Sequence, residues 1–148
     1  MAASKSVVQT RTSLTTTALN TLASGGFTLC GTLTHATNDP LDVLLEVQVV
    51  VGTTSGNKQA VVYAKGSLDG TNFESGIESG TATTTEGNLT YVGAVPCPEA
   101  GTHNGIFSLA DAFGSLPYAS KVIVKNDSGA ALTSGGWVHY SEVWGDIA

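Results

Sequence analysis

The sequence predicts an all-β fold: an antiparallel β-sandwich or jelly-roll-like domain with one short helix. Three observations carry that expectation. The composition is that of strands and turns, rich in Thr, Ser, Gly and Val with only 12% charged residues, because β-branched side chains fit a pleated surface and glycine serves tight turns. One segment, residues 42–51, alternates, with Leu45, Val47, Val49 and Val51 on one face and Glu46 and Gln48 on the other; period two is the signature of a strand. Turn signals then recur at short intervals, with no alternation of strands and helices. At 148 residues the chain has the length of one domain and can bury about 70% of the surface its unfolded form exposes.

Taken in order, residues 1–12 carry Val7 and Val8 as their bulky apolar side chains and are expected to form an extended N-terminal arm, with residues 13–148 as the single sandwich domain. Residues 14–22, rich in Thr, and residues 27–33 are expected strands. The strand at 42–51 is broken by the Gly52 to Asn57 stretch, and residues 58–67 resume with Val61, Val62, Tyr63 and Ala64, so the pair reads as an antiparallel hairpin with a six-residue loop. Asp69-Gly70 in the following segment is a turn signal, since glycine tolerates positive φ where the chain reverses. Residues 76–87 read as a weak edge strand or a loop. Residues 89–95 form a short strand that Pro96 and Pro98 stop, because proline removes a ladder donor.

Residues 108–114 are the one helical piece: Ser108 caps, Asp111 sits three residues on, and Gly114 suits a left-handed terminus. Residues 121–125 are a strand, Asn126-Asp127-Ser128-Gly129 turns it, and residues 137–144 close the chain as another. The expected total is about seven or eight strands, the count of a sandwich or jelly roll. Trp137 and Trp144 lie seven apart and so face opposite sides of a regular strand, one towards the core and one towards a contact, tryptophan being enriched at interfaces.

Chemistry finds little support. His35, His103 and His139 lie in three different segments, with no spacing that aims two imidazoles at one metal. Gly-x-Ser-x-Gly is absent, and no pair of carboxylates is selected by spacing for glycoside hydrolysis. Asp69 to Glu74 offers oxygen ligands but lacks the alternating acidic positions of a calcium loop. Cys30 and Cys97 are too few for a disulfide framework and read as buried thiols, or as one disulfide. The expectation is a protein that is not an enzyme and uses no cofactor.

The net charge of −6, twelve carboxylates against six cations with no run of either sign, repels phosphates and anionic lipid, so nucleic acid and membrane are not expected partners. Residues 1–5 lack a charged start followed by an apolar run, so no secretory signal is read, and no apolar stretch nears the ~20 residues of a membrane span.

The segment Val61-Val62-Tyr63-Ala64-Lys65-Gly66-Ser67-Leu68-Asp69-Gly70-Thr71-Asn72-Phe73, set in an acidic, Thr- and Gly-rich β domain, resembles small structural proteins of tailed-bacteriophage virions, most of all the head decoration or cement proteins. The resemblance implies a virion protein assembled in the host cytoplasm, a homo-oligomer and commonly a trimer, that stabilises the head by binding the major capsid protein on the outer capsid surface. The same hairpin turn resembles those of phage tail and fibre-associated domains and of carbohydrate-binding sandwiches. In a sugar-binding module Tyr91, Trp137 or Trp144 would form the aromatic platform. The shared motif is a turn, so it transfers no functional residue; the contact candidates from the residues themselves are Val7, Val8, Trp137 and Trp144.

Overall fold

The alternation at Asp42–Val51 becomes a strand whose Val43, Leu45, Val47, Val49 and Val51 are buried while the residues between them are half-buried. A computed structural model describes residues 4–147. Among them run nine strands, β1 (Ser4–Val8), β2 (Thr12–Thr15), β3 (Phe27–Thr34), β4 (Asp42–Val51), β5 (Gln59–Ser67), β6 (Thr90–Pro96), β7 (Gly101–Ser108), β8 (Ala119–Asp127) and β9 (Trp137–Ile147), and one short helix, α1 (Leu109–Phe113).

One sheet has the order β1-β9-β4-β7, with β2 also pairing β9, and the other β3-β8-β5-β6. All pairings are antiparallel, and four of them nest one inside the next: β2 pairs β9, β3 pairs β8, β4 pairs β7 and β5 pairs β6. The chain is thus a ribbon folded back on itself and wrapped so that successive ribbon segments fall in opposite sheets, which is the jelly roll. The main core lies between the sheets, built around Leu45, Val47, Val62, Val122, Val124 and Val138.

A second cluster, Phe27, Leu89 and Ile123 with Leu29, Tyr63 and Ile77, lies on the outer face of the β3-β8-β5-β6 sheet. Residues 74–89 cover that face. We call this the roofed sheet and the other the open sheet. The difference is visible within the strands: β5 is buried along both faces, whereas β4 alternates.

Three expectations are corrected here. β4 and β5 do not form a hairpin, since they belong to opposite sheets; the loop between them crosses the ~10 Å that separates packed sheets. A one-sided strand and a two-sided strand suit different layers. The N-terminal arm is corrected over its described part: Ser4–Val8 lies along β9 in register, Val7 opposite Trp144 and Val8 opposite Val143, and residues 1–3 fall outside the described residues. The reason is the length of β9: on the edge away from β4, β2 pairs it only from Val138 to Tyr140, and its remaining residues on that edge are left for β1 to satisfy. Of residues 14–22 only the first two belong to a strand; Thr15 Oγ1 then accepts from the N–H of Ala18 at 3.1 Å and the chain turns, burying Leu19 completely. The stretch at 76–87 is a loop, and β7 is a strand the sequence reading passed over.

Candidate interaction surface

β4, β6 and β8 begin, and β5, β7 and β9 end, at one end of the sandwich. The connections 35–41, 68–89 and 109–118 crowd there together with the β1–β9 ribbon. Seven large hydrophobic side chains are exposed among the described residues: Val8, Leu41, Leu68, Tyr91, Ile106, Tyr118 and Trp144. All seven stand at this end or on the strand halves next to it. The loops at the opposite end contribute none.

The turn after β5 explains part of the pattern. Asp69 Oδ1 accepts from the N–H groups of Asn72 at 2.7 Å and Thr71 at 2.8 Å, Asn72 Nδ2 donates to Asp69 Oδ2 at 2.7 Å, and Ser67 Oγ accepts from Gly70 N–H at 2.9 Å. These donors, those of Asn72 and Thr71 foremost, hold the Asp69 carboxyl well below the usual carboxylate range. Gly70 has φ +80°, and a Cβ there would lie 2.9 Å from the ring of Tyr118, so the turn needs glycine twice over. Asp69 therefore serves the loop's own backbone, and the consequence of the stapled loop is to hold Leu68 in solvent at 87% exposure.

Behind Leu68 lies a groove of about 640 Å³, with Phe73, Phe113, Leu116 and Pro117 among its walls. Its far wall is set by α1. Ser108 Oγ caps that helix by accepting from Asp111 N–H at 3.1 Å and itself donates to Asp42 Oδ2 at 2.6 Å, while Asp42 Oδ1 accepts from Ala110 N–H at 2.9 Å. Leu116 and Pro117 also line a second groove of about 310 Å³ with His35, Pro40 and Tyr118. His35 is buried there with Nε2 2.7 Å from Ser120 Oγ. Burial lowers its pKa, only partly opposed by Glu142.

The sequence candidates divide. Val7, Val8 and Trp144 are brought together on the β1–β9 ribbon, with Trp144 42% exposed. Trp137 is not with them. It lies at the other end of β9 on the outer face of the open sheet, edge-on to His139 with centroids 4.3 Å apart, and Arg11 sits 5.2 Å over its ring while pairing with Glu46 at 3.1 Å. Neither tryptophan is core. The core-facing side chains of β9 are Val138 and Tyr140, and Trp144 lies beyond the last residue that β4 pairs. The reading missed Leu41, Tyr118 and Ile106; Leu68 stood inside the noted turn motif, and its place beside Asp-Gly was the signal available.

Among the described residues no three His, Cys, Asp or Glu side chains are grouped to hold a metal ion, and no helix is long and apolar enough to cross a membrane. Cys30 and Cys97 are both buried and free, and burial pushes the Cys30 thiol up to about 12. No protein-family model matches the sequence, and no curated protein matches it significantly.

Proposed function

We propose that this chain is a non-enzymatic virion structural protein, of the capsid decoration or cement kind, that attaches to the outer surface of a phage head through the end carrying Leu41, Leu68, Tyr118 and Trp144. The observation that supports the reading is that all seven large exposed apolar side chains among the described residues stand at that end or on the strand halves beside it. Apolar exposure gathered in one region marks contact surfaces, whereas scattered exposure is ordinary. The jelly roll agrees with the reading but does not select it, since viral capsid proteins and lectins share it.

The test is co-sedimentation with heads of the parent phage that lack the protein. Leu68→Lys and Trp144→Lys are each expected to weaken binding by about tenfold or more, the usual cost of removing an apolar anchor from an interface. Thr53→Lys, in an exposed loop at the opposite end, is expected to bind as the parent does. Equal binding by all three variants, or no binding by the parent protein, overturns the reading. Retention on immobilised glycans, lost on Tyr91→Ala, would favour a carbohydrate-binding module instead.

A further inference from the structure

A strand at a sheet edge offers unpaired N–H and C=O groups to any other strand, so proteins blunt their edges with charge, proline, bulges, short length or a covering segment. Three of the four edges here are blunted. One edge of the open sheet is divided between β1 and β2, of five and four residues, with Lys5 in the first, Arg11 between them and a register shift between Ser13 and Thr15. β3 shifts register between Leu29 and Gly31, and its Phe27 exchanges backbone hydrogen bonds with Gly80 at 2.7 and 3.2 Å. β6 breaks register against β5 at Val62 and Tyr63 and ends in Pro96.

The fourth edge is different. β7 pairs β4 in unbroken register over all eight residues. It contains no Lys, Arg, Asp, Glu or Pro. Among the described residues no loop or turn backbone hydrogen bond reaches it. Its inner face is held against the sandwich by Phe107, whose ring lies across Gly93 of β6 so closely that a Cβ there would be 2.3 Å from it. Its outer face presents Thr102, Asn104 and Ile106, the last 68% exposed.

We propose that β7 is a self-association edge, through which two copies of this chain pair antiparallel about a two-fold axis at Asn104 and continue the open sheet from one copy into the other. The choice of a second copy follows from charge. Two-fold pairing sets a strand against itself, so a charged residue near its centre meets its own like; β7 carries no such charge on either face. A partner selected by complementary charge finds no handle on this strand.

The choice of axis follows from the side chains. With the axis at Asn104, Thr102 stands opposite Ile106, a β-branched cross-strand pair, and Gly101 stands opposite Phe107. Asn104 meets Asn104, and each amide can both donate and accept. An axis one residue on, at Gly105, would instead set Ile106 against Asn104 and His103 against Phe107. The inference rests on the fold and does not depend on the capsid reading. It also differs from the trimer that the phage resemblance implies.

The test is sedimentation velocity on the full chain over a concentration series. The parent protein is expected to pass from monomer to dimer as concentration rises. Asn104→Lys and Asn104→Asp, both at an exposed position, are each expected to stay monomeric and folded by circular dichroism. Mixed in equal amounts they are expected to dimerise again, because opposite charges now meet across the axis. The proposal is overturned by a parent protein that stays monomeric throughout, by an oligomer that survives Asn104→Lys, or by folded variants whose mixture remains monomeric. The series needs no capsid, so its failure is separate from failure of capsid binding.

Discussion

At the end of the sandwich opposite the apolar surface, one buried amide joins two loops. Asn126 is fully buried; its Nδ2 donates to Leu22 O at 2.9 Å and Ala130 O at 2.7 Å, and its Oδ1 accepts from Ser128 Oγ at 2.6 Å and Ser128 N–H at 3.1 Å. Its backbone donates to Gly26 O at 2.8 Å and accepts from Gly25 N–H at 2.7 Å. Both amide hydrogens and both oxygen lone pairs are therefore engaged. Asn126→Ala would leave the buried Ser128 N–H without its acceptor and take one of two donors from Leu22 O and from Ala130 O, which keep the Leu132 N–H and the Ser128 hydroxyl, at a cost expected to be about 1–3 kcal/mol. The check is a urea midpoint that falls with an unchanged slope; a shift worth under about 0.5 kcal/mol would show that the two loops hold without it. The sequence marked Asn126 as a turn residue from its type. It did not reveal an inward amide, because the partners at Leu22 and Ala130 are set by how the loops meet.

The roof over the second sheet is held by carboxylates reaching down to lysines. Glu78 takes Lys65 at 2.9 Å and Lys121 at 3.0 Å, and Glu86 takes Lys125 at 2.9 Å and the Tyr63 hydroxyl at 2.7 Å. Burial alone would raise both glutamates, but the hydrogen bonds and charges of their lysine partners, with the Tyr63 bond at Glu86, outweigh it and hold both below the ordinary value of 4.5. A carboxylate depressed in the folded state stabilises above its unfolded pKa, and that stability is lost as pH falls through the folded value. Denaturant unfolding measured across pH should therefore show stability declining as the solution is acidified below about 4.5. Glu78→Gln with Glu86→Gln should cost about 1–2 kcal/mol near neutrality, since Lys65 is buried and loses its counter-charge, keeping Gly76 O as a neutral acceptor, and should flatten the acid limb. A double variant with the parent's acid slope would contradict the assignment.

The same elements show what the sequence could tell. β4 was legible because a sheet open on one side imposes strict alternation. β7 was not, because its inner face is filled by one ring, Phe107, over Gly93 and Gly105, where the eye looks for spaced aliphatics. The roof was read as a loop or weak strand because its anchors, Lys65, Lys121 and Lys125, lie on strands brought side by side only by tertiary register. The run Val61-Val62-Tyr63-Ala64 did carry a sign of two-sided burial, but strand-loop-strand spacing says nothing of which sheet the second strand joins. The apolar end was unreadable for a similar reason: Leu41, Leu68, Tyr118 and Trp144 are scattered along the chain, and only the jelly-roll wrapping gathers their loops.

At the scale of the whole molecule the sandwich is asymmetric, and the asymmetry makes a prediction of its own. Outward residues of the open sheet, such as Val50, are half-buried at a solvent boundary, whereas Ile123, outward on the roofed sheet, is completely buried between Phe27 and Leu89. The same chemical change should therefore have unequal effects. Val50→Thr is expected to shift stability by about 0.5 kcal/mol or less, as surface changes do. Ile123→Thr should cost about 2–4 kcal/mol, since it opens space under the roof and leaves a hydroxyl short of partners. Equal costs by denaturant unfolding would mean that the roof does not seal its sheet, or that the open face is not open. Assembly through a sheet is decided at its edges, and the roofed sheet is closed there, β3 by the Phe27–Gly80 backbone hydrogen bonds and β6 by its register break and Pro96. The open sheet ends in β7, an edge without charge, proline or bulge, so it alone keeps a free border along which a second molecule could add.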